Sequence, residues 1–309
     1  MQTLKIGTRG SKLALIQTEM VIDHLKQAHP GIEVEIVEIQ TSGEWKPAQG
    51  ETRLSEVDGG KGLFAKEIEQ ALLDGHIDCG VHSMKDMASF LPDGLVIDHF
   101  LPREDPRDAF LSNEYDSIQD LPAGAVIGTS SVRRQSFLYA NKDDIKVVPL
   151  RGNVPTRIEK LRSGQADAII LALSGLIRLG LEDEVSSILE PSEMLPAAGQ
   201  GAVGIETRES DDKTRSLFDA IHCNETGLCV KAERAALAVL DGSCHTPIGA
   251  YAKIDNNVLS LEVCVCSEDG KVKESESVSG TVHLNAEAHA LGNSAGTTLK
   301  ERIDPSLLT

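Results

Sequence analysis

Apolar residues recur in two rhythms along the chain as far as about residue 172. Period-two runs near residues 4–8, 32–40, 77–82, 124–128, 145–150 and 167–172 predict strands, and 3.6-period stripes near 11–28, 63–74, 131–141 and 154–163 predict helices between them. Such alternation predicts α/β layers on parallel sheets. One unit occurs twice. Ile6-Gly7-Thr8 followed by a helix opening at Ser11 is matched by Ile127-Gly128-Thr129 and a helix opening near Ser131. Further on, Leu72-Leu73-Asp74-Gly75-His76-Ile77-Asp78 leads into a strand ending at Ser83, as Leu161-Arg162-Ser163-Gly164-Gln165-Ala166-Asp167 leads into one ending at Ser174. Two similar doubly wound lobes facing each other across a cleft follow.

Ile6 lies 72 positions before Asp78 and Ile127 lies 40 before Asp167, so the first copy is 32 residues longer. Most of the excess is residues 41–62, rich in Gly and charge. A loop of that length is read as a mobile lid, with a passive insertion as the alternative, since insertions cost little free energy. After Gly199-Gln200-Gly201-Ala202 come a strand at 203–207 and helices near 211–221 and 225–241. Strands near 247–254, 258–266 and 271–282, joined at Asp255-Asn256-Asn257 and Asp269-Gly270, then predict a three-stranded antiparallel meander closed by a helix over 285–302. The expected division is 1–101 with 198–219 (lobe 1), 102–197 (lobe 2) and 220–309, a small α+β domain.

Composition narrows the ligand. The formal charge is −18 and aromatic residues are 3% of the chain, which argues against nucleic acid as a partner: a phosphate backbone needs a basic face and single strands need stacking platforms. The first thirty residues are interrupted by Lys5, Arg9, Lys12, Glu19 and Asp23, and the longest apolar stretch, 168–173, is far short of the ~20 residues of a membrane helix. A cytoplasmic protein without membrane contact is expected. Cys79, Cys223, Cys229, Cys244, Cys264 and Cys266 form no C-x-x-C or zinc-like spacing, so free thiols and no structural metal are expected, with Cys264 and Cys266 on one face of a strand.

Against this acidic background, eight of the fourteen arginines lie between residues 103 and 178. Several sit beside Gly, Ser and Thr: Gly128-Thr129-Ser130-Ser131-Val132-Arg133-Arg134, then Arg151-Gly152-Asn153-Val154-Pro155-Thr156-Arg157, with a related turn at Gly7-Thr8-Arg9-Gly10-Ser11. Helix-start N–H groups, hydroxyls and forked guanidinium groups bind carboxylate or phosphate. Three such clusters outweigh the alternative of solvated surface charge and predict a small anionic ligand.

Two further segments carry chemistry. Ser83-Met84-Lys85-Asp86 follows a strand, at the edge where open α/β sheets place ligands. An ionised Asp86 suits stabilising a cation, while an exposed Lys85–Asp86 pair is the alternative. Gly242-Ser243-Cys244-His245-Thr246-Pro247 places one thiol in a turn, where it is either reactive or a buried structural cysteine. A Cys244/His245 hydrolase fails on geometry, because adjacent residues do not aim at each other and no orienting partner is evident.

Together with Gly60-Lys61-Gly62-Leu63-Phe64, Val81 to Asp86 and Ala197-Ala198-Gly199-Gln200-Gly201, these motifs closely resemble the porphobilinogen deaminase (hydroxymethylbilane synthase) family over nearly the whole chain. The resemblance implies three domains, the first two similar to type II periplasmic binding proteins. It implies a dipyrromethane cofactor bound by a thioether to Cys244. Ala88, where the family often has Pro, and Ser243, where it commonly has Gly, put loop rigidity and the geometry of the Cys244 turn in doubt, not the reaction.

The implied reaction condenses four porphobilinogens head to tail with loss of ammonia and hydrolyses the product to hydroxymethylbilane. Deamination gives an electrophilic azafulvene, and Asp86 would stabilise the pyrrole cation and shuttle protons. Ser83, Lys85, Asp86, Thr129, Ser131, Arg133, Arg134 and Arg157 would hold the cofactor. Arg9, Ser11, Arg151, Arg178 and Gln200, with Arg157 shared, would hold substrate and the lengthening chain, and Lys61 and Phe64 would border the cleft. The expected state is a monomer. A cytosolic two-lobed anion sensor is the competing class, and it leaves Cys244 and Asp86 unexplained.

Overall fold

The computed structural model describes residues 3–43, 64–240 and 246–308. In chain order, the first lobe runs β1 (Leu4–Thr8), α1 (Lys12–Ala28), β2 (Val34–Glu38), α2 (Lys66–Leu73), β3 (Cys79–Ser83) and β4 (Leu95–Phe100). The second runs β5 (Asp108–Ser112), β6 (Val126–Gly128), α3 (Val132–Asn141), β7 (Lys146–Val148), α4 (Val154–Arg162), β8 (Ala168–Ala172), α5 (Leu173–Leu179) and β9 (Ser187–Leu189). The chain then returns as β10 (Val203–Arg208) and α6 (Asp212–Phe218). The sheets have the orders β2-β1-β3-β10-β4 and β7-β6-β8-β5-β9. Strand for strand they are the same sheet built twice.

The repeated motifs have the same work in both copies. Gly75 and Gly164, at φ of 71° and 76°, end α2 and α4 in the left-handed region that glycine adopts without strain. The aspartate that follows clasps the neighbouring strand: Asp78 accepts from Lys5 N at 2.8 Å, and Asp167 accepts from Val126 N at 2.7 Å.

One expectation is corrected. The sheets are mixed, not parallel: β10 runs antiparallel to β3 and β4, and β5 runs antiparallel to β8 and β9. A parallel neighbour needs a crossover, whereas a strand arriving from the other lobe enters from the opposite end. Strands β4, β5 and β9 and helix α5 escape the periodicity reading. The second apolar strand ends at Ala172, so Ser174 lies inside α5 and not at a strand end. Of the predicted lid, only residues 41–43 lie within the described residues.

The third domain comprises α7 (Asn224–Val239), β11 (Ile248–Asp255), β12 (Val258–Cys266), β13 (Lys273–Thr281) and α8 (Asn285–Arg302), its sheet ordered β11-β12-β13 and antiparallel as expected. A core of Ala232, Ala236, Leu259, Leu261, Val263 and Leu299 lies between sheet and helices. The helices touch so closely that a Cβ on Gly292 would sit 2.0 Å from Ala232 O. Cys264 and Cys266 do share a face; they are buried against Phe137 of lobe 2. Glu233 of α7, wholly buried, ties this domain to both interlobe crossings: it binds Arg103 through Nη1 at 2.6 Å and Nη2 at 3.2 Å, and accepts from Gly199 N and Ala252 N, each at 2.7 Å.

Candidate functional site

The strand β3 ends at Ser83, and a single helical turn, Met84–Asp86, lifts Lys85 and Asp86 off the sheet edge. Met84 is buried as the anchor of that turn. The returning crossing packs directly on it: a Cβ on Gly199, whose φ is +72°, would lie 2.7 Å from Met84 Cβ. Glycine is required there both for space and for backbone conformation.

From the opposite wall, Ser11 caps α1 by accepting from Ala14 N at 3.3 Å, which fixes the Arg9 turn before it. The Arg9 guanidinium stacks 4.4 Å over the Phe64 ring. Further along α1, Gln17 donates to Ser83 Oγ at 2.8 Å and lies within 3.1 Å of it through Oε1. Arg9, Ser11, Gln17, Phe64, Ser83 and Asp86 border a cleft open to solvent. A smaller space shares Gln17 and Ser83 with it and extends to Lys85, Ser174, Arg178 and Gly199. The cleft therefore runs between the lobes.

On the second lobe, Thr129 Oγ1 accepts from Ser131 N at 3.2 Å, and Ser131 caps α3 by accepting from Arg134 N at 3.4 Å. The guanidinium groups of Arg133 and Arg134 turn inward to Asp108. Arg133 Nη2 donates to Oδ2 at 2.6 Å; Arg134 Nη2 and Nε donate to Oδ1 at 2.8 and 3.2 Å. Their Nη1 groups reach Leu195 O at 2.6 Å and Ile170 O at 2.9 Å. Arg151 is buried, and Arg157 Nε donates to Gly152 O at 2.8 Å. Arg178 Nη2 donates to Gly201 O at 2.7 Å.

The charges feel one another. Burial lowers the Lys85 ammonium to about 8, with Arg134 and Arg157 pushing the same way and Asp86 and Asp108 opposing. Burial would raise the Asp108 carboxyl, but Arg133 and Arg134 carry it down to about 2. Burial also lowers Arg178, with Glu104 opposing. The Nε atoms of Arg9, Arg133 and Arg178 are buried without a hydrogen-bond partner. Such donors fit additional anionic acceptors.

The structure brings Arg9, Ser11, Phe64, Ser83, Lys85, Asp86 and Arg178 to one cleft, with Arg134 and Arg157 within electrostatic reach of Lys85. Gln200 is elsewhere. It is 1% exposed, and its amide donates to Pro106 O at 2.6 Å and Asp108 Oδ1 at 3.0 Å. Lys61 and Cys244 lie outside the described residues. The sequence reading missed Gln17 and Asp108. Gln17 had a signal, as a buried amide four residues before Val21 on the apolar face of α1. Asp108 had none.

A family model described as porphobilinogen deaminase, dipyromethane cofactor binding domain, matches residues 4–216, and one described as porphobilinogen deaminase, C-terminal domain, matches 227–301. The curated porphobilinogen deaminase of Nitrobacter hamburgensis is 47% identical over 98% of this chain and 95% of its own. That of Alkaliphilus metalliredigens is 46% identical over 98% of this chain and 93% of its own. Among solved structures, a nutrient binding protein from Burkholderia cenocepacia bound to methionine aligns with a TM-score of 0.45 at 14% identity, covering 72% of this chain and 93% of that one.

Proposed function

The chain belongs to the porphobilinogen deaminase family and is a transferase with a dipyrromethane cofactor, and we propose the following assignment of its reaction to residues. It condenses four porphobilinogens head to tail, releasing ammonia at each addition, and hydrolyses the chain to hydroxymethylbilane for tetrapyrrole biosynthesis. The observation that carries the assignment is Asp86 at the end of β3, the one carboxylate among the described residues that line a cleft presenting guanidinium, ammonium and hydroxyl donors.

Those donors fit the cofactor. Its acetate and propionate side chains need N–H and O–H partners, and the Nε groups of Arg9, Arg133 and Arg178 are buried without one. Lys85, Ser83, Thr129, Ser131 and Arg157 hold these carboxylates, together with the N–H groups of Arg133 and Arg134 that internal acceptors leave over, and the thioether is to Cys244. Once bound, the dipyrromethane would supply the free pyrrole carbon to which the first substrate is joined, each later substrate joining the pyrrole added before it. Arg9, Ser11 and Arg151 orient the incoming porphobilinogen by its carboxylates, and Phe64 keeps Arg9 in place. Asp86 stabilises the positive charge on the substrate pyrrole nitrogen and receives its proton, in a partly desolvated cleft that strengthens the interaction. Arg178 serves the lengthening chain. We assign Gln200 to support of this wall through Asp108.

The domain division expected from sequence is supported by β10 pairing in the first sheet. A monomeric, cytoplasmic enzyme is the accompanying reading; no helix among the described residues is long and apolar enough to cross a membrane.

Denatured intact mass with peptide mapping tests the assignment. The protein should carry the mass of two condensed pyrrole units on the peptide containing Cys244, and Cys244→Ser should abolish it. An adduct on Cys79, Cys223, Cys229, Cys264 or Cys266 would overturn the attachment. Failure to release ammonia from porphobilinogen would overturn the reaction.

A further inference from the structure

Arg133 and Arg134 are consecutive on α3, so their side chains leave the helix about 100° apart. Both nevertheless converge on one acceptor. Asp108 is 0% exposed, and its two oxygens take Arg133, Arg134 and a third donor, Gln200 Nε2 at 3.0 Å. Two buried cations drawn together would otherwise repel across a short, poorly screened distance. The carboxylate is at this spot because β5 is antiparallel to β8. Asp108, its first residue, pairs with Ala172, the last residue of β8, and so lies at the sheet edge next to the cleft. Through Gln200 the same carboxylate is joined to the crossing that packs on Met84.

We infer that Asp108 is a positioning residue for the cofactor: it holds Arg133 and Arg134 together and in register before any ligand carboxylate arrives, leaving a pocket with a net positive charge ready for one. The inference rests on the proposed function, since it concerns how the dipyrromethane is retained. The local count favours it. Arg133, Arg134, Arg157 and Lys85 are four basic groups against the two carboxylates of Asp86 and Asp108, so arriving carboxylates meet an excess of positive charge without displacing Asp108. A residue that served stability alone would lower the melting temperature and leave cofactor retention untouched.

The test uses the full-length enzyme expressed with porphobilinogen available. Asp108→Asn, which preserves volume, should fold, by near-UV circular dichroism and elution volume, yet show a ratio of adduct to bare mass reduced at least about tenfold. Asp105→Asn, three residues away in a solvent-accessible pair with Arg107, should retain wild-type occupancy. The fraction of Asp108→Asn that does carry the cofactor should keep a KM for porphobilinogen near wild type, because substrate carboxylates are assigned to Arg9 and Arg151. In Asp108→Ala, formate at tens of millimolar should restore occupancy saturably where chloride at equal ionic strength does not. If Asp108→Ala does not fold, Asp108→Asn alone carries the decision. Folded Asp108→Asn with wild-type occupancy, even at a lowered melting temperature, would overturn the positioning role. Absence of the adduct from the wild-type protein would instead overturn the functional assignment.

Discussion

Replacing Glu233 by Gln removes one charge without changing shape, at the point where the third domain meets both interlobe crossings. In the wild-type protein Oε1 accepts from Arg103 Nη1 and Ala252 N, and Oε2 from Arg103 Nη2 and Gly199 N. A glutamine can accept at only one of those two positions. Whichever way it flips, its NH2 faces one guanidinium N–H and one backbone N–H. The Arg103 charge, strengthened by Glu233 against the pull of burial, is left without a counterion. Breaking a buried pair in this way costs about 3–5 kcal/mol, and the orphaned backbone donor lies within that range. An unfolding entropy of about 2.1 cal/mol/K per residue over 309 residues converts this to a loss of roughly 5–8 °C in melting temperature if the chain unfolds as one unit. Differential scanning calorimetry at pH 7 measures it, with Glu225→Gln, exposed in the first turn of the same helix, as a control expected to stay within about 1 °C. A shift below about 2 °C in Glu233→Gln would refute the claim that this carboxylate holds the domains together.

Three shorter predictions follow from the site and the core. Asp86→Asn should lower turnover at least ~100-fold, the loss of one preorganised electrostatic group at about 2.7–4 kcal/mol, and near-normal turnover in protein shown by mass to hold the cofactor would remove Asp86 from the chemistry. Gly292→Ala forces a methyl onto the Ala232 carbonyl at the contact of α7 with α8, so urea denaturation should show a loss of at least about 1–3 kcal/mol, and an unchanged midpoint would mean that the helices separate freely. Asp108 is held at about 2 in the folded protein against about 3.9 in an unfolded chain, so its contribution is complete above the unfolded value and is lost as pH falls toward 2. The urea-derived stability difference between wild type and Asp108→Asn should accordingly be constant above about pH 5 and shrink by roughly 2 kcal/mol toward pH 2; a pH-independent difference would contradict the ion pair.

The duplicated lobe was legible in the linear chain because each copy is written in local terms. Gly75 and Gly164 end helices in a conformation that depends on their own φ, and Asp78 and Asp167 recur three residues after them, although the strands they clasp lie 73 and 41 residues earlier in the chain. The antiparallel meander was legible for the same reason, since Asn256 and Asn257, at φ of 49° and 63°, shape the turn between adjacent strands. Arginines beside Gly, Ser and Thr pointed to an anion site because three such clusters outweighed the alternative of solvated surface charge. Strand direction was decided only by the tertiary structure. Whether β5 and β10 run with or against their neighbours depends on which end of a sheet the chain reaches after leaving the other lobe, and no local residue encodes that. The partners of the arginines were decided there too. Asp108 and Glu233 are two of 48 acidic residues, indistinguishable in the chain until folding removes water from them. A charge acquires a specific partner only when burial makes the unpaired state costly, and burial is a property of the assembled layers.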